Sequence, residues 1–363
     1  MINLIRGKGI NEVVYNSIEQ LILEGDRTPS RNGDVSSFNN VFLNIDNPRN
    51  RHLNLKGRKN NIFATIAETF WVFSGEDKID PLLSFFLPRA KDFSDDGEVW
   101  YGAYGPRLYN YGQMDDIIQQ FRNEGMFTRR ASFYIGAPEL DTKESFQKHL
   151  DGVDTIRDRP CNMNGNFFIT QDNKLHLNMF SRSGDILWGI GSINIFEWTF
   201  FQEFMLQELK REISSDIELG EYHHFITNMH LYDFSGKQGY DVYSNRLEQE
   251  LSHQNHAPLY FPNGVDNFKG FMKKICGMWG EVISSDAIIP YKELKNKFTS
   301  IFNEYGVQIE GNLLYTYTEL VSAYIITKFV YGEEIEIDIS DKDIEFQESI
   351  KNSSFRKFKL KGE

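Results

Sequence analysis

Apolar residues recur at helical spacing over residues 10–25, and the run stops at Gly25. A polar, turn-rich stretch follows, DRTPSRNGD (26–34), and VSSFNNVFLNI (35–45) then alternates with a period of two, which predicts a strand. NPRNRHLNLKGRKNN (47–61) reads as a basic loop. Helical spacing returns in NNIFATIAETFWVFSG (60–75), again closed by a glycine. RRASFYIGA (129–137) alternates as a strand, and NFFITQDNKLHLNMFSRS (166–183) reads as a hairpin turning at QDNK. SINIFEWTFFQEFMLQELKREI (192–213) predicts a helix so apolar that most of it must be buried, and YHHFITNMHLY (222–232) predicts a further strand.

From about residue 255 the pattern changes to helical segments at 268–283, 291–306 and 313–332, followed by the acidic, strand-like EEIEIDIS (333–340). No internal repeat or low-complexity linker separates these parts. The expected class is α+β, a large mixed or antiparallel sheet flanked by helices. An α+β body over residues 1–255 would carry a mostly helical extension over 256–363.

Composition narrows the function. A net charge of −13 argues against a general nucleic-acid or membrane-surface binder, so an anionic ligand would need a few arginines gathered locally. With 30 Phe and 17 Tyr the core should be well filled. Two cysteines, Cys161 and Cys276, cannot build a disulfide framework and point to a reducing, cytoplasmic setting. The N-terminus lacks the apolar core of a signal peptide, and the most apolar windows are broken by Glu319 and Lys328, so no membrane span is expected.

Cys161, in RPCNMNGNFF (159–168), is either a packed thiol after a proline or a nucleophile at the mouth of a strand. A nucleophile needs a depressed thiol pKa, for which Arg159 and Arg182 are the candidate cations. Cys276 lies in a helical pattern and reads as core. Glu68 is odd on so apolar a helix, because a buried carboxylate is costly without a partner or a task.

Several separated pieces fall into one order. NNIFATIAETFWVFSG resembles the glutamate–tryptophan helix of thymidylate synthases, with Glu68 and Trp71 in the matching places. YGAYGPRL (101–108) resembles their Tyr-Gly loop, TRRASF (128–133) their paired arginines and RPCNMN (159–164) their proline–cysteine turn. FSRSGDILWGIGSINIFEW (180–198) and NMHLY (228–232) resemble the Arg-Ser-x-Asp segment and the His-x-Tyr strand. The order holds over roughly residues 25–235, and the chain is similar to the thymidylate synthase superfamily, which includes pyrimidine nucleotide hydroxymethylases.

The resemblance implies a covalent mechanism, in which a Cys161 thiolate adds to carbon 6 of a pyrimidine and turns carbon 5 into a nucleophile. It implies a pyrimidine nucleoside monophosphate as substrate, dUMP favoured, and 5,10-methylenetetrahydrofolate as one-carbon donor. Arg31, Arg182 and Ser183 would bind the phosphate, with Arg27 competing for the place of Arg31. Arg129 and Arg130 would reach over from the partner of an obligate homodimer. Glu68 would hold water and relay protons, and Tyr104 would help remove the carbon-5 proton. Asp185 and Trp71 would meet the folate. His230 and Tyr232 would hold the sugar, with Asp241 and Tyr243 of DVYSNRLEQ (241–249) as the rival pair. Asn194 would read a uracil, since a carboxamide both accepts from the ring N–H and donates to the carbonyl. GIGSIN (189–194) is one residue longer than the family's loop, which leaves Glu197 as an alternative reader of a cytosine amino group. No metal is implied.

Two departures favour hydroxymethyl over methyl transfer. Asn162 follows the cysteine where methylating members carry His, and a long extension ending SSFRKFKLKGE (353–363) replaces their short closing tail. Methylation requires water to be excluded, whereas hydroxymethylation requires it to be admitted. Thymidylate synthesis, cytosine-nucleotide hydroxymethylation and a non-catalytic nucleotide-binding homologue are the alternatives.

Overall fold

The computed structural model describes residues 3–145, 156–249, 251, 257–285, 289–329, 334–342 and 344–363. An α+β architecture is built on an eight-stranded mixed sheet. Its strands are β1 (Asn3–Gly7), β2 (Asp26–Thr28), β3 (Val35–Ile45), β4 (Ser132–Tyr134), β5 (Asn162–Ile169), β6 (Lys174–Ser181), β7 (Gly184–Asp185) and β8 (Glu218–Tyr232). The order is β1-β3-β8-β6-β5-β4, with β2 pairing β3 and β7 pairing β8. β8 lies antiparallel to β3 and parallel to both β6 and β7. Three of its neighbours thereby bring chemistry to one end of the sheet.

Seven helices matter for the site: α1 (Ile10–Glu24), α2 (Ile62–Ser74), α3 (Tyr104–Tyr109), α4 (Ile195–Glu212), α5 (Val265–Ser284), α6 (Tyr291–Glu304) and α7 (Leu313–Phe329). In α1, Ile10, Val13, Val14, Ile18 and Leu21 form the stripe that the spacing predicts, and all are buried. α2 starts where the Asn61 side chain accepts the Ala64 N–H, and ends where Gly75 takes a left-handed φ of 79°. α4 is buried on nearly every side. Phe201 touches Phe133 and Phe167 of the sheet layer, while Phe200 and Phe204 meet Phe73 and Phe268 of the helical layer.

The helices beyond residue 256 continue this core. Trp279 of α5 packs on Phe70 of α2 at 5.4 Å between ring centroids, and Tyr324 of α7 on Phe63 at 4.8 Å. The expected boundary at 255–256 itself lies outside the described residues, as does the end of the helical run at 330–332.

Three expectations need correcting. The strand expected over 129–137 is only Ser132–Tyr134, because the Ile135 and Gly136 N–H groups both turn to the Met163 carbonyl and end the regular ladder, and Arg129 and Arg130 remain exposed. Among the described residues EEIEIDIS contributes only Glu336–Ile337, paired in parallel with Lys359–Leu360. The helix expected from residue 192 begins as the six-residue π-helical turn Gly189–Asn194, so the extra residue of GIGSIN is taken up as a wider turn. β1, which the pattern did not predict, pairs in parallel with β3 at the sheet edge.

The sheet's other face carries a rank of near-parallel rings. Phe42 stacks on His223, His223 on His176 and His176 on Phe168, with centroids 5.6, 5.8 and 4.9 Å apart. His176, Glu221 and His223 place ligand-type atoms within 4.8 Å of one another there. Glu221 already accepts from Arg6 and Asn44, and its backbone N–H donates to His176 Nδ1, so these groups satisfy one another without an ion.

Candidate active site

Cys161 stands immediately before β5, and the chain packs around it tightly. Arg182, just past β6, donates from Nε to the Pro160 carbonyl and from Nη2 to the Arg159 carbonyl, both at 3.0 Å. The same Nη2 lies 3.6 Å from Cys161 Sγ, and the Arg182 N–H donates to the Cys161 carbonyl at 3.0 Å. One guanidinium therefore shapes the turn and faces the thiol. Burial pushes the Cys161 thiol up, and Arg182 and then Arg31 pull it down, with Asp158 opposing them. Asp158 is itself pushed up to about 7 by burial and accepts the Gly102 N–H at 2.9 Å. Arg159, expected as a source of field, contributes its carbonyl to the Arg182 clamp.

A cavity of about 540 Å³ opens beside this turn, and Arg31, Arg157, Arg159, Arg182, Ser183, His230 and Tyr232 are among its lining residues. Four arginines in an acidic protein make this the local gathering of cations that a phosphate requires. Arg31 reaches it from the loop between β2 and β3 and donates to the Arg157 carbonyl at 3.3 Å. Arg27 instead pairs with Asp233. His230 and Tyr232 enter from the end of β8, whereas Asp241 and Tyr243 lie on the following helix and do not line the cavity. Arg129 and Arg130 do not line it either, and Arg130 pairs with Glu124.

Behind Cys161 runs a buried polar chain. The Ser181 hydroxyl donates to Asn162 Oδ1 at 2.5 Å. His224 Nε2 lies 2.6 Å from Ser181 Oγ, and its Nδ1 lies 2.8 Å from the Tyr222 hydroxyl. Burial drives His224 down to about 3, so the ring is neutral. Because Ser181 spends its proton on Asn162, Nε2 carries the imidazole proton and Tyr222 donates to Nδ1. The Asn162 amide nitrogen is buried without a hydrogen-bond partner, near the Tyr104 ring. Tyr104 is buried, stacks on Trp198 at 5.7 Å, and is raised well above its usual value by burial, then by Cys161 and Glu197.

Glu68 and Glu197 face one another from α2 and α4. Burial raises Glu68 to about 8, and burial followed by Glu68 raises Glu197, which Asn194 partly relieves. Glu68 Oε2 and both Glu197 oxygens are buried without a hydrogen-bond partner. Asn194 thus sits at the end of the π-helical turn, against Glu197 one turn further on.

Asp185, in β7 alongside His230, accepts N–H bonds at Oδ1 from Leu187 at 2.8 Å and Trp188 at 2.6 Å. Its Oδ2 is buried with no hydrogen-bond partner, and burial lifts the carboxyl to about 6. Trp188 is 49 % exposed, with the Arg58 guanidinium 5.0 Å from its ring centroid. An orphan acceptor beside an open indole suits a flat heterocycle with N–H donors, so this corner fits a folate. Trp71 is 3 % exposed and gives its indole N–H to the Lys78 carbonyl, so its ring stands in the core. Sequence reasoning passed over Trp188, Arg58, Ser181, Tyr222 and His224. An indole within a glycine-rich loop was the available signal for the first, and the other four lacked one.

A thiol clamped by arginine, a cationic cavity and buried carboxyls thus lie together at one end of the sheet. The chain belongs to the thymidylate synthase family, whose model matches residues 14–263. It is 35% identical over 98% of its length to a protein of Delftia phage PhiW-14 named deoxyuridylate hydroxymethyltransferase, covering 97% of that protein. Proteins of the same name from Bacillus phage SP01 and Pseudomonas phage M6 are 28% and 27% identical, over 72% and 63% of this chain and 71% and 62% of their own. Among the described residues no helix is long and apolar enough to cross a membrane.

Proposed function

We propose that the protein transfers a hydroxymethyl group to carbon 5 of dUMP, using 5,10-methylenetetrahydrofolate. Membership of the family fits methylation as well. The observation that carries the hydroxymethyl reading is the likeness to the PhiW-14 protein, which runs through the helical extension as well as the region that the family model matches.

Arg31, Arg182 and Ser183 bind the phosphate in the cationic cavity, and His230 and Tyr232 hold the sugar at the end of β8. The Cys161 thiolate, favoured by Arg182, adds to carbon 6 and makes carbon 5 nucleophilic. Tyr104, beside Asn162, assists removal of the carbon-5 proton, and Glu68, partly exposed on α2, moves protons between the base and water. Asn194 selects uracil over cytosine. Asp185 and Trp188 hold the folate through the orphan oxygen and the open ring. Methylenetetrahydrofolate, when bound, supplies a carbon at the formaldehyde level and leaves with two protons as tetrahydrofolate. Arg129 and Arg130 complete the phosphate site of a second copy in a homodimer. Support for this comes from their exposure and from the half-buried ring rank on the sheet's outer face.

Incubation with dUMP and methylenetetrahydrofolate should give 5-hydroxymethyl-dUMP by mass spectrometry, with no absorbance rise from dihydrofolate. The Cys161→Ser variant should bind dUMP yet release no tritium from carbon 5. Thymidylate with dihydrofolate as products would instead assign the methylating reaction.

A further inference from the structure

Glu197 is 1 % exposed, and neither carboxyl oxygen has a hydrogen-bond partner. Glu68 faces it from α2, Tyr104 from α3 and Tyr222 from β8, and Asn194 reaches it from its own end of α4. No cation among the described residues offsets either carboxyl. A buried, unpaired carboxyl costs several kcal/mol, and a leucine or glutamine at this place on an otherwise apolar helix would remove that cost. Two such groups side by side cannot both ionise, so near neutral pH the pair keeps at least one proton.

Tyr222 and Tyr104, which both face Glu197, are also the two ends of the chain that runs through His224, Ser181 and Asn162. The hydrogen bonds of that chain point one way, from Tyr222 to Asn162, whose amide nitrogen is left without a hydrogen-bond partner on the side of Tyr104. Glu197 therefore lies near both Tyr222, where that chain starts, and Tyr104, beyond its far end.

We propose that Glu197 is the working partner of Glu68, sharing its exchangeable proton and tying the pair to Tyr104. This rests on the hydroxymethyl-transfer reading. In the hydration step a water oxygen bonds to the exocyclic carbon on carbon 5, and the double-bond pair moves into the ring. The water proton passes to the Glu68 carboxylate. Expulsion of the Cys161 thiolate then restores the double bond between carbons 5 and 6. Glu197, as the acid of the pair, donates to Glu68 while Glu68 awaits that proton, and so acts as a positioning residue through Glu68.

Glu197→Gln keeps shape and removes the exchangeable proton. The variant should fold and bind dUMP within about twofold of the original, because it leaves the cationic cavity intact. Its kcat should fall by about 100-fold, and the decline of kcat at high pH, where the pair gives up its last proton, should disappear. The Glu68→Gln/Glu197→Gln double variant should be no slower than Glu68→Gln alone, since the two act as a unit. A folded E197Q with the original rate and pH profile, or additive losses in the double variant, overturns the proposal. The infrared stretch of a protonated carboxyl in the unmodified protein at neutral pH gives a second reading, and its absence also overturns it. Failure of the unmodified protein to make 5-hydroxymethyl-dUMP refutes the functional reading instead, whatever E197Q does.

Discussion

Replacing Arg182 with glutamine removes the cation that lies 3.6 Å from Cys161 Sγ. Two unit charges at that separation interact by about 4 to 5 kcal/mol at an effective dielectric near 20, and by about 1 kcal/mol in bulk water. The Arg182 side chain is exposed, so solvent screening brings the interaction towards the lower bound, at roughly 1.4 to 3 kcal/mol. That range corresponds to about one to two pKa units. The thiolate is the charged form, so losing the cation raises the thiol pKa. Arg31 retains part of the field and Asp158 continues to oppose it. The assay is the rate of iodoacetamide alkylation as a function of pH, because only the thiolate reacts. Cys276 is buried in α5 and pushed far up, so it contributes little to the profile. Arg182→Gln should move the alkylation midpoint up by about one to two units, and Arg182→Lys, which keeps the charge but loses the fork, by less than half of that. An unchanged midpoint in Arg182→Gln would show that this guanidinium serves only to hold the Pro160–Cys161 turn.

Mixing an inactive Cys161→Ala subunit with an inactive Arg130→Ala subunit should restore part of the activity, since one site of the heterodimer is then intact; no recovery after proven subunit exchange excludes shared sites. Asn194→Asp should shift turnover from dUMP towards dCMP by about tenfold or more, because the carboxylate cannot donate to the uracil carbonyl. An unchanged ratio would transfer base choice to Glu197. His224 is neutral in the folded protein and titrates there at about 3, against an unfolded value near 6.5. As pH falls below 6.5 the unfolded chain takes up a proton that the folded chain refuses, so stability declines from there down to about pH 3, by on the order of 4 kcal/mol. His224→Gln should flatten that part of a urea-denaturation series against pH, and an unaltered slope would contradict the buried neutral ring.

The elements that the sequence made legible are those where period and punctuation agree. α1 ends against Gly25, α2 runs from Asn61 to Gly75, and the hairpin turns at Asn173, which takes a φ of 61°. Cys161, Arg182, Arg31, His230 and Tyr232 were readable because short motifs held their order, and the fold gathers them about one cavity. What escaped depends on tertiary position. Ser181, Tyr222 and His224 sit at inward positions of ordinary-looking strands, and only the pairing of β6 with β8 makes them neighbours. Trp71, expected against the folate, is buried in the core, and Trp188, which carried no expectation, stands exposed beside Asp185. Helical spacing cannot tell a ring that faces a ligand from one that faces the next layer of core. The extra residue in GIGSIN was visible, but its accommodation as a π-helical turn follows from the packing of Ile190 and Gly191 beneath it.

The last residues of the chain have one more consequence. Phe358 meets Phe63 of α2 edge-on at 5.7 Å, Ser353 donates to the Asn60 carbonyl, and Lys359–Leu360 pairs with Glu336–Ile337. A segment fastened behind the Glu68 helix in this way is a wall and cannot swing as a door. The loop that bears Arg31 lines the nucleotide cavity with exposed residues 28–32, so any opening and shutting of that cavity would fall to this loop over a fixed floor.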